Sequence, residues 1–328
     1  MSVKVSIVIP TFNRKESLKK TLESLFNQTY PKDKYEIIVC DDDKSTDGTE
    51  GMVKELMKNS PCKIRYFKVK SKYKGPAAAR NVGIENADGE IIGFTDDDCV
   101  ASPNWIENAV PFFDNETITG VQGCTLPLLP SSKKNRIFWK EHTIKITELD
   151  DCYATCNIFY RKKALIEVGG FDHRFFPWED TDLAWSLLEK GYKIVFSKDM
   201  LVYHETNYIS FPKYLKKLKK HQELFALFVK KHPIYRKKLM LRFISSEKNL
   251  YPIPILFAAI SYLIGSYFLF YLLILTAIML YLWARVVVDA NFKMYPLRIL
   301  AFIRYFLIDF ISLFYTVKGA IRYRCFII

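Results

Sequence analysis

Two short acidic clusters stand at the ends of apolar runs. Phe94-Thr95 leads into Asp96-Asp97-Asp98, and Val39-Cys40 leads into Asp41-Asp42-Asp43. Along an extended strand residues i and i+2 share a side, so Asp96 and Asp98 face the same way. Carboxylates that close repel one another unless a cation lies between them. A hard divalent ion, Mg2+ or Mn2+, takes oxygen ligands of this kind and shares them with substrate phosphates. Taken alone, the triplet also reads as a polar turn whose acids cap a helix beginning near Pro103. The neighbouring segments favour the metal. Gly75-Pro76-Ala77-Ala78-Ala79-Arg80-Asn81-Val82-Gly83 is a small-residue helix start with one arginine, an arrangement that suits a phosphate. Neither a Walker loop nor a Gly-x-Gly-x-x-Gly turn occurs in the chain.

These clusters need elements that bring them together. Residues 3–9 and 35–40 are Val- and Ile-rich runs that predict strands, and between them Leu18, Leu22, Leu25 and Phe26 recur at helical spacing. A helix near 48–58, a strand near 63–69, a helix near 76–87 and a strand at 90–95 continue the alternation. The pattern predicts an α/β fold with a Rossmann-like, doubly wound, mostly parallel sheet. Ligands of such sheets bind beyond the carboxyl ends of the strands, where both acid clusters fall. From 100 to 212 the pattern is mixed, with helices at 103–113, 162–168 and 179–190 and strand-like pieces near 117–125 and 153–160.

The chain has 328 residues, against the roughly 150 that one domain needs. Hydrophobic residues at 50% and charged residues at 25% exclude a disordered chain. The net charge of +13 is unevenly placed: residues 1–212 carry 29 Lys/Arg against 31 Asp/Glu, and residues 213–328 carry 19 against 4. The excess base therefore adjoins the apolar tracts instead of a folded basic patch, which points to membrane lipids and away from nucleic acid. Residues 213–242 hold eleven Lys/Arg and one acid among Tyr214, Leu215, Leu218, Leu224, Phe225, Leu227 and Phe228. That stretch reads as an interfacial helix, or more plainly as a solvated basic linker.

Leu250 to Ala284 is 35 residues without a formal charge. As one helix it would reach about 52 Å, against a hydrocarbon core of about 30 Å. Two tight spans turning near Gly265-Ser266 or Tyr271 fit better. Lys248, Arg285, Lys293 and Arg298 flank them and put both ends on the cytoplasmic side. Residues 299–317 include Arg304 and Asp309, and read as a third span, a re-entrant piece or an interfacial helix. The expected organisation is an N-terminal domain over 1–212, basic amphipathic helices over 213–249, and a membrane region over 250–328. The start of the chain enters a strand without a signal-peptide core. The expected location is the cell membrane, multi-pass, with the N-terminal domain on the cytoplasmic face. Seven scattered cysteines without a Cys-x-x-Cys pair suit a reducing compartment.

Four segments then become specific together. Residues 5–14 (VSIVIPTFNR), 37–49 (IIVCDDDKSTDGT), 75–98 and 169–183 (GGFDHRFFPWEDTDL) resemble, in order and spacing, family 2 glycosyltransferases of the GT-A fold. The resemblance covers roughly residues 3–210. It implies an inverting transfer from a nucleotide-diphospho-sugar with a UDP-sugar favoured, assisted by Mn2+ or Mg2+. Asp96-x-Asp98 resembles the family's Asp-x-Asp, with Asp98 binding the metal, Asp96 the ribose or a metal-bound water, and Asp97 lying between them on the donor side. Asp42 matches the base-binding aspartate, and Asp43 takes that role if the longer loop here shifts the register. Pro10, Thr11 and Asn13 match the first nucleotide loop, and Arg80 the basic residue near the nucleotide.

The same resemblance makes Asp180 the catalytic base and Glu179 its neighbour that orients acceptor hydroxyls. A hydroxyl needs a carboxylate to take its proton as it attacks the anomeric carbon. Acids in a first helical turn also favour the helix dipole, which accounts for Glu179 and Asp182 without chemistry. His204 resembles a position that ligates the metal or touches the pyrophosphate, and Trp178 suits stacking on an acceptor sugar or core packing. The Gln-x-x-Arg-Trp of processive synthases is absent, so transfer is expected to be non-processive. A base-like Asp180 favours a saccharide hydroxyl, and the apolar tail a lipid-linked saccharide. Transfer to a polyprenyl phosphate, as in relatives of dolichyl-phosphate mannose synthase, is the alternative among enzymes. A catalytically silent membrane scaffold is the alternative of another class.

Overall fold

A computed structural model describes residues 4–73, 75–128, 139–142, 144–149, 151–239, 254, 258, 261–263, 265–283, 298–325 and 327. The chain divides into two compact units, residues 1–211 and 212–328. In the first unit the elements run β1 Val5–Thr11, α1 Lys15–Phe26, β2 Tyr35–Asp42, α2 Thr49–Lys58, β3 Lys63–Val69, α3 Ala77–Asn86, β4 Ile91–Phe94 and β5 Cys99–Ala101. They continue with α4 Trp105–Ala109, β6 Ile118–Leu128, β7 Trp139–His142, β8 Ile158–Arg161, α5 Lys162–Glu167, α6 Glu179–Glu189, β9 Lys193–Glu205 and β10 Asn207–Ser210. In the second unit, α7 is Phe211–Lys231, α8 is Tyr267–Trp283 and α9 is Arg298–Tyr323.

Eight strands form one sheet in the order β3-β2-β1-β4-β8-β6-β9-β5, and β7 pairs with β10 in a second, two-stranded sheet. The expected Rossmann-like half is present: β3, β2, β1 and β4 are mutually parallel. The expectation of a mostly parallel sheet holds for four of its seven strand pairs, the fourth being the long β6–β9 pair. The β4–β8, β8–β6 and β5–β9 pairs are antiparallel, so the sheet is mixed. β8 lies within the strand-like piece expected near 153–160, whereas β5, at three residues, is too short to show as an apolar run. Only parallel strands require a helical crossover, and the alternation read from sequence records those alone.

β1 lies between β2 and β4, and Val5, Ile7, Val8 and Ile9 are wholly buried. The apolar face of α1 covers it with Leu18, Leu22 and Leu25, spaced i, i+4, i+7. On the other side α3 comes close because Gly83 has no side chain; a Cβ there would stand 2.3 Å from Val8 Cγ1. Pro10 is tolerated in this central strand. Val8 C=O accepts from Thr95 N–H on the β4 side, so the period of two turns the Pro10 nitrogen to that side, beyond the last β1–β4 pair at Val8–Phe94. Asn157 joins the two halves: it accepts from Trp105 Nε1 at 2.8 Å and donates to the carbonyls of Cys124 and Met200 at 2.8 and 2.9 Å.

In the second unit α7 buries Leu224, Phe225, Phe228 and Val229. It meets α9 where Gly319 approaches the Glu223 carbonyl, 2.3 Å from where a Cβ would stand. Glu223 pairs there with Arg322 at 2.5 Å and Lys318 at 3.5 Å. One face of the basic helix is thus packed against protein. The chain turns at Gly265, φ +80°, before α8 begins. Most of 250–264 lies outside the described residues. Among the described residues no helix is long and apolar enough to cross a membrane. The 17 residues of α8 extend about 26 Å, short of a hydrocarbon core of about 30 Å. α9 takes up the expected third apolar segment and carries Asp309 on a buried side.

Candidate active site

The carboxyl ends of β1, β2 and β4 open on one edge, because these strands are parallel and neighbours. The loops leaving them supply Asn13 and Arg14, Asp41 to Thr46, and Asp96 to Asp98. To this edge α3 adds Arg80 and α6 adds Glu179 and Asp180 from its first turn.

Arg80 is the hub of the first cluster. Its Nη2 donates to Asp96 Oδ1 at 2.9 Å and its Nη1 to Asp180 Oδ1 at 3.1 Å, with Glu179 Oε1 at 3.6 Å. The guanidinium is buried, and its ring-like plane also lies over Phe171, 5.5 Å from the centroid. Asp180 Oδ2 accepts from the Thr155 N–H at 3.0 Å, which fixes both of its oxygens. Burial pushes the Asp180 carboxyl above the ordinary range and Arg80 pulls it down. Burial first, then the Asp180 charge, pushes Glu179 up to about 8. Two adjacent carboxyls therefore differ in role: Asp180 is oriented by two donors, and Glu179 favours its protonated form.

The helix that presents them is held from α3. Asn81 Nδ2 donates to the Phe171 carbonyl at 2.9 Å, and its Oδ1 accepts from the Phe171 N–H at 2.8 Å. Gly170, φ +69°, leaves room for that amide; a Cβ would meet Asn81 Oδ1 at 2.6 Å. Trp178 precedes α6 with φ +99°, a backbone state rarely adopted by a large side chain.

The second cluster lies toward β9. Asp97 accepts from Thr11 Oγ1 at 2.7 Å and pairs with Arg14 at 3.3 Å; Arg14 also pairs with Asp98. Burial pushes Asp97 up to about 7, against Arg14 and Thr11. His204 Nε2 stands 3.3 Å from Asp98 Oδ1. Its Nδ1 lies 2.9 Å from the Glu205 carbonyl, which can only accept, so Nδ1 carries a proton. Nε2 then faces Asp98 in a buried site, and a carbonyl-oriented histidine beside a carboxylate is a metal-ligand arrangement. Asp98, Cys99 and His204 offer ligand atoms all within 4.8 Å of one another. The residues thus fit Mn2+ or Mg2+ through Asp98 and His204. Asp96 turns instead to Arg80, so its expected share in the metal is not among those ligand atoms.

On the nucleotide side, Asn13, φ +51°, links two loops: its N–H donates to Ser45 Oγ at 3.1 Å and its Oδ1 accepts from Thr46 N–H at 2.8 Å. Asp41 is buried and accepts from Ser45 Oγ at 2.5 Å and Tyr66 Oη at 2.7 Å. Asp42 accepts from Lys44 N–H at 3.0 Å, and the Asp43 N–H donates to the Val69 carbonyl at 3.1 Å. Both keep partly exposed side chains at the carboxyl edge. Pro10 and Thr11 end β1, with the Thr11 hydroxyl already used by Asp97.

Sequence reasoning missed Arg14, Thr155 and the position of Cys99. Arg14 had a signal, since it follows the carboxyl end of β1 and β4 is the neighbouring parallel strand. Thr155 had none, because its contribution is a backbone N–H.

The profile described as Glycosyl transferase family 2 matches residues 6–169, and that described as Glycosyl transferase family group 2 matches residues 91–308. The chain belongs to glycosyltransferase family 2. A relative within reach of this family 2 chain is Glycosyltransferase AglE of Haloferax volcanii, 28% identical over 204 residues, 61% of this chain and 66% of the relative. A second is GalNAc(5)-diNAcBac-PP-undecaprenol beta-1,3-glucosyltransferase of Campylobacter jejuni, 42% identical over 95 residues, 29% of each chain. The chain spans less than two thirds of the length of these curated relatives. Among solved structures, the mannosyltransferase PcManGT from Pyrobaculum calidifontis, in complex with GDP-Man and Mn2+, matches with a TM-score of 0.60 over 97% of this chain and 87% of that one. At 17% identity this likeness is one of fold, the GT-A fold expected for family 2.

Proposed function

We propose that this glycosyltransferase performs a metal-assisted inverting transfer from a nucleotide-diphospho-sugar, a UDP-sugar by preference, to a hydroxyl of a lipid-linked saccharide. The observation that carries the reading is the doubly oriented Asp180 beside Asp96, joined by one buried arginine. An acceptor hydroxyl approaching Asp180 delivers its proton to that carboxylate as its oxygen attacks the anomeric carbon. Glu179, in its protonated form, donates to an acceptor oxygen and adds no charge beside the base. Asp98 and His204 would hold the Mn2+ or Mg2+, whose chemistry is to offset the charge of the departing diphosphate. Asp42, or Asp43 in its place, serves the base, Asp96 the ribose, and Pro10, Thr11 and Asn13 line the nucleotide loop. The names of the Campylobacter and Haloferax relatives support the reaction class, and the former a lipid-diphosphate-linked acceptor.

The same proposal places the protein at the cytoplasmic face of the cell membrane through residues 212–328. Its support is the 19 Lys/Arg against 4 acids beyond residue 212 and the exposed Tyr267, Phe268, Tyr271, Leu272 and Leu275 of α8. The test is product analysis with UDP-sugars, Mn2+ and short polyprenyl-diphosphate saccharides. A new glycosidic bond of inverted configuration supports the reading. A mild-acid-labile sugar phosphodiester on a polyprenyl phosphate acceptor overturns it.

A further inference from the structure

We propose that Cys99 is a third protein ligand at this metal centre, engaged by thiophilic divalent ions such as Cd2+ and Zn2+. The inference rests on the reading of Asp98 and His204 as the metal pair. Cys99 and His204 are direct partners in the antiparallel β5–β9 ladder, which sets their side chains on one face. The register is pinned on both sides of that pair. Glu205 N–H donates to the Asp98 carbonyl at 2.8 Å, and Thr21 Oγ1 donates to the Cys99 carbonyl at 2.7 Å. Asp98 follows the end of the loop, so its carboxylate reaches the same spot from one residue earlier.

The distances suit an ion. Ligand bonds of roughly 2.1 Å at a tetrahedral angle put two ligand atoms roughly 3.4 Å apart. Asp98 Oδ1 and His204 Nε2 are already 3.3 Å apart, and the thiol sulfur lies within 4.8 Å of both. All three residues are buried. One oxygen, one nitrogen and one sulfur with a position left open is a set that zinc-like ions accept.

The ligand set then depends on the ion. Mg2+ is hard and takes oxygen, leaving Cys99 a protonated thiol; Cd2+ and Zn2+ bind sulfur and nitrogen more tightly than Mg2+ or Mn2+ do. On engaging Cys99 the thiol proton leaves to solvent, one proton per ion, and a sulfur–metal bond replaces the sulfur–hydrogen bond. Thiophilic ions should therefore displace Mn2+ at this centre.

Titration of the full chain with Cd2+ alone tests this, read as thiolate-to-cadmium absorbance, cadmium NMR shift and protons released. The expected result is one thiolate-bound Cd2+ per chain. Cys99→Ser and Cys99→Ala should lose the absorbance and weaken Cd2+ at least by the roughly 10–100-fold that second-layer partners of metal ligands are worth. Mn2+ affinity, read by paramagnetic resonance, should stay within a factor of about two in both. Cys152→Ser controls for the exposed thiol and should change nothing. The same absorbance in the Cys99 variants, or a wild-type NMR shift without sulfur, overturns the inference while leaving Mn2+ binding and the proposed reaction intact. Failure of wild type to bind Mn2+ even with UDP would instead sink the metal reading beneath it.

Discussion

One guanidinium joins the β4 loop to the first turn of α6: Arg80 donates to Asp180 at 3.1 Å and to Asp96 at 2.9 Å. The link has a consequence for acid–base behaviour. Asp180 must be charged to take a proton, burial raises its pKa, and Arg80 lowers it. Activity should therefore rise with pH through a value above the ordinary carboxylate range, then fall as Glu179, pushed up to about 8, loses the proton it would donate to the acceptor. Arg80→Gln removes the charge that holds Asp180 down, so the acid limb of kcat should move to higher pH. Each unit of that movement lowers turnover about tenfold on the acid side. A kcat–pH profile with an unmoved acid limb in a folded Arg80→Gln protein would count against the coupling.

Removing the base itself should act on chemistry alone. Asp180→Asn keeps the shape and loses the proton acceptor, so turnover should fall about 10²–10⁴-fold. Because the proposed role of Asp180 is toward the acceptor, nucleotide affinity measured by titration calorimetry should be little changed. Asp98→Asn should do the reverse, losing the metal-dependent part of nucleotide binding along with turnover. Loss of nucleotide binding in the Asp180 variant would reassign that residue to the donor.

The parallel half of the fold and its acidic strand ends were legible because Val/Ile runs and polar turns leave a strong signal. Asp96 to Asp98 fell at the carboxyl edge, as their place at a strand end implied, and Glu179-Asp180 lie there with them, as the resemblance implied. What could not be read was the pairing among them. Arg80 reads as a phosphate partner at a helix start, yet its charge is spent on Asp96, Glu179 and Asp180, which are 16 to 100 residues away in sequence. The antiparallel strand β5 is too short to show a period, and with it the Cys99–His204 register stayed hidden.

Close approach of α3 to the sheet makes a stability prediction. Gly83→Ala would put a methyl 2.3 Å from Val8 Cγ1, and Val8 cannot retreat because it is buried in the central strand. Overpacking of this kind costs about 1–3 kcal/mol. Thermal unfolding should show a lowered Tm, and Gly51→Ala, with nothing within 4 Å of its new Cβ, should show none of that loss.

Trp178 should behave in the opposite sense. Its φ of +99° is a strained state for a tryptophan, worth about 1–3 kcal/mol, and glycine adopts it freely. Trp178→Gly therefore loses packing and gains backbone relief, so its Tm should fall far less than truncation of a half-buried tryptophan otherwise would. Acceptor KM should rise severalfold while donor KM stays near its value, if the ring faces the acceptor sugar. An unchanged acceptor KM would return Trp178 to a packing role.

The basic unit carries the last prediction. Residues 213–242 present eleven Lys/Arg against Glu223, and Glu223 is itself engaged by Arg322 and Lys318. Lys213 and Lys216 are exposed on α7, and each cation near an anionic headgroup surface is worth about 1 kcal/mol. Exposed aromatics of α8 add an apolar part that salt does not screen. Co-sedimentation with vesicles should therefore show two components. Binding to anionic vesicles should exceed binding to neutral ones and weaken with salt, without vanishing at high salt. Lys213→Glu with Lys216→Glu should reduce the salt-sensitive part, and Phe268→Ser with Leu272→Ser the remainder. Binding that disappears wholly at high salt would leave α8 without a role at the membrane and reduce α7 to an electrostatic tether.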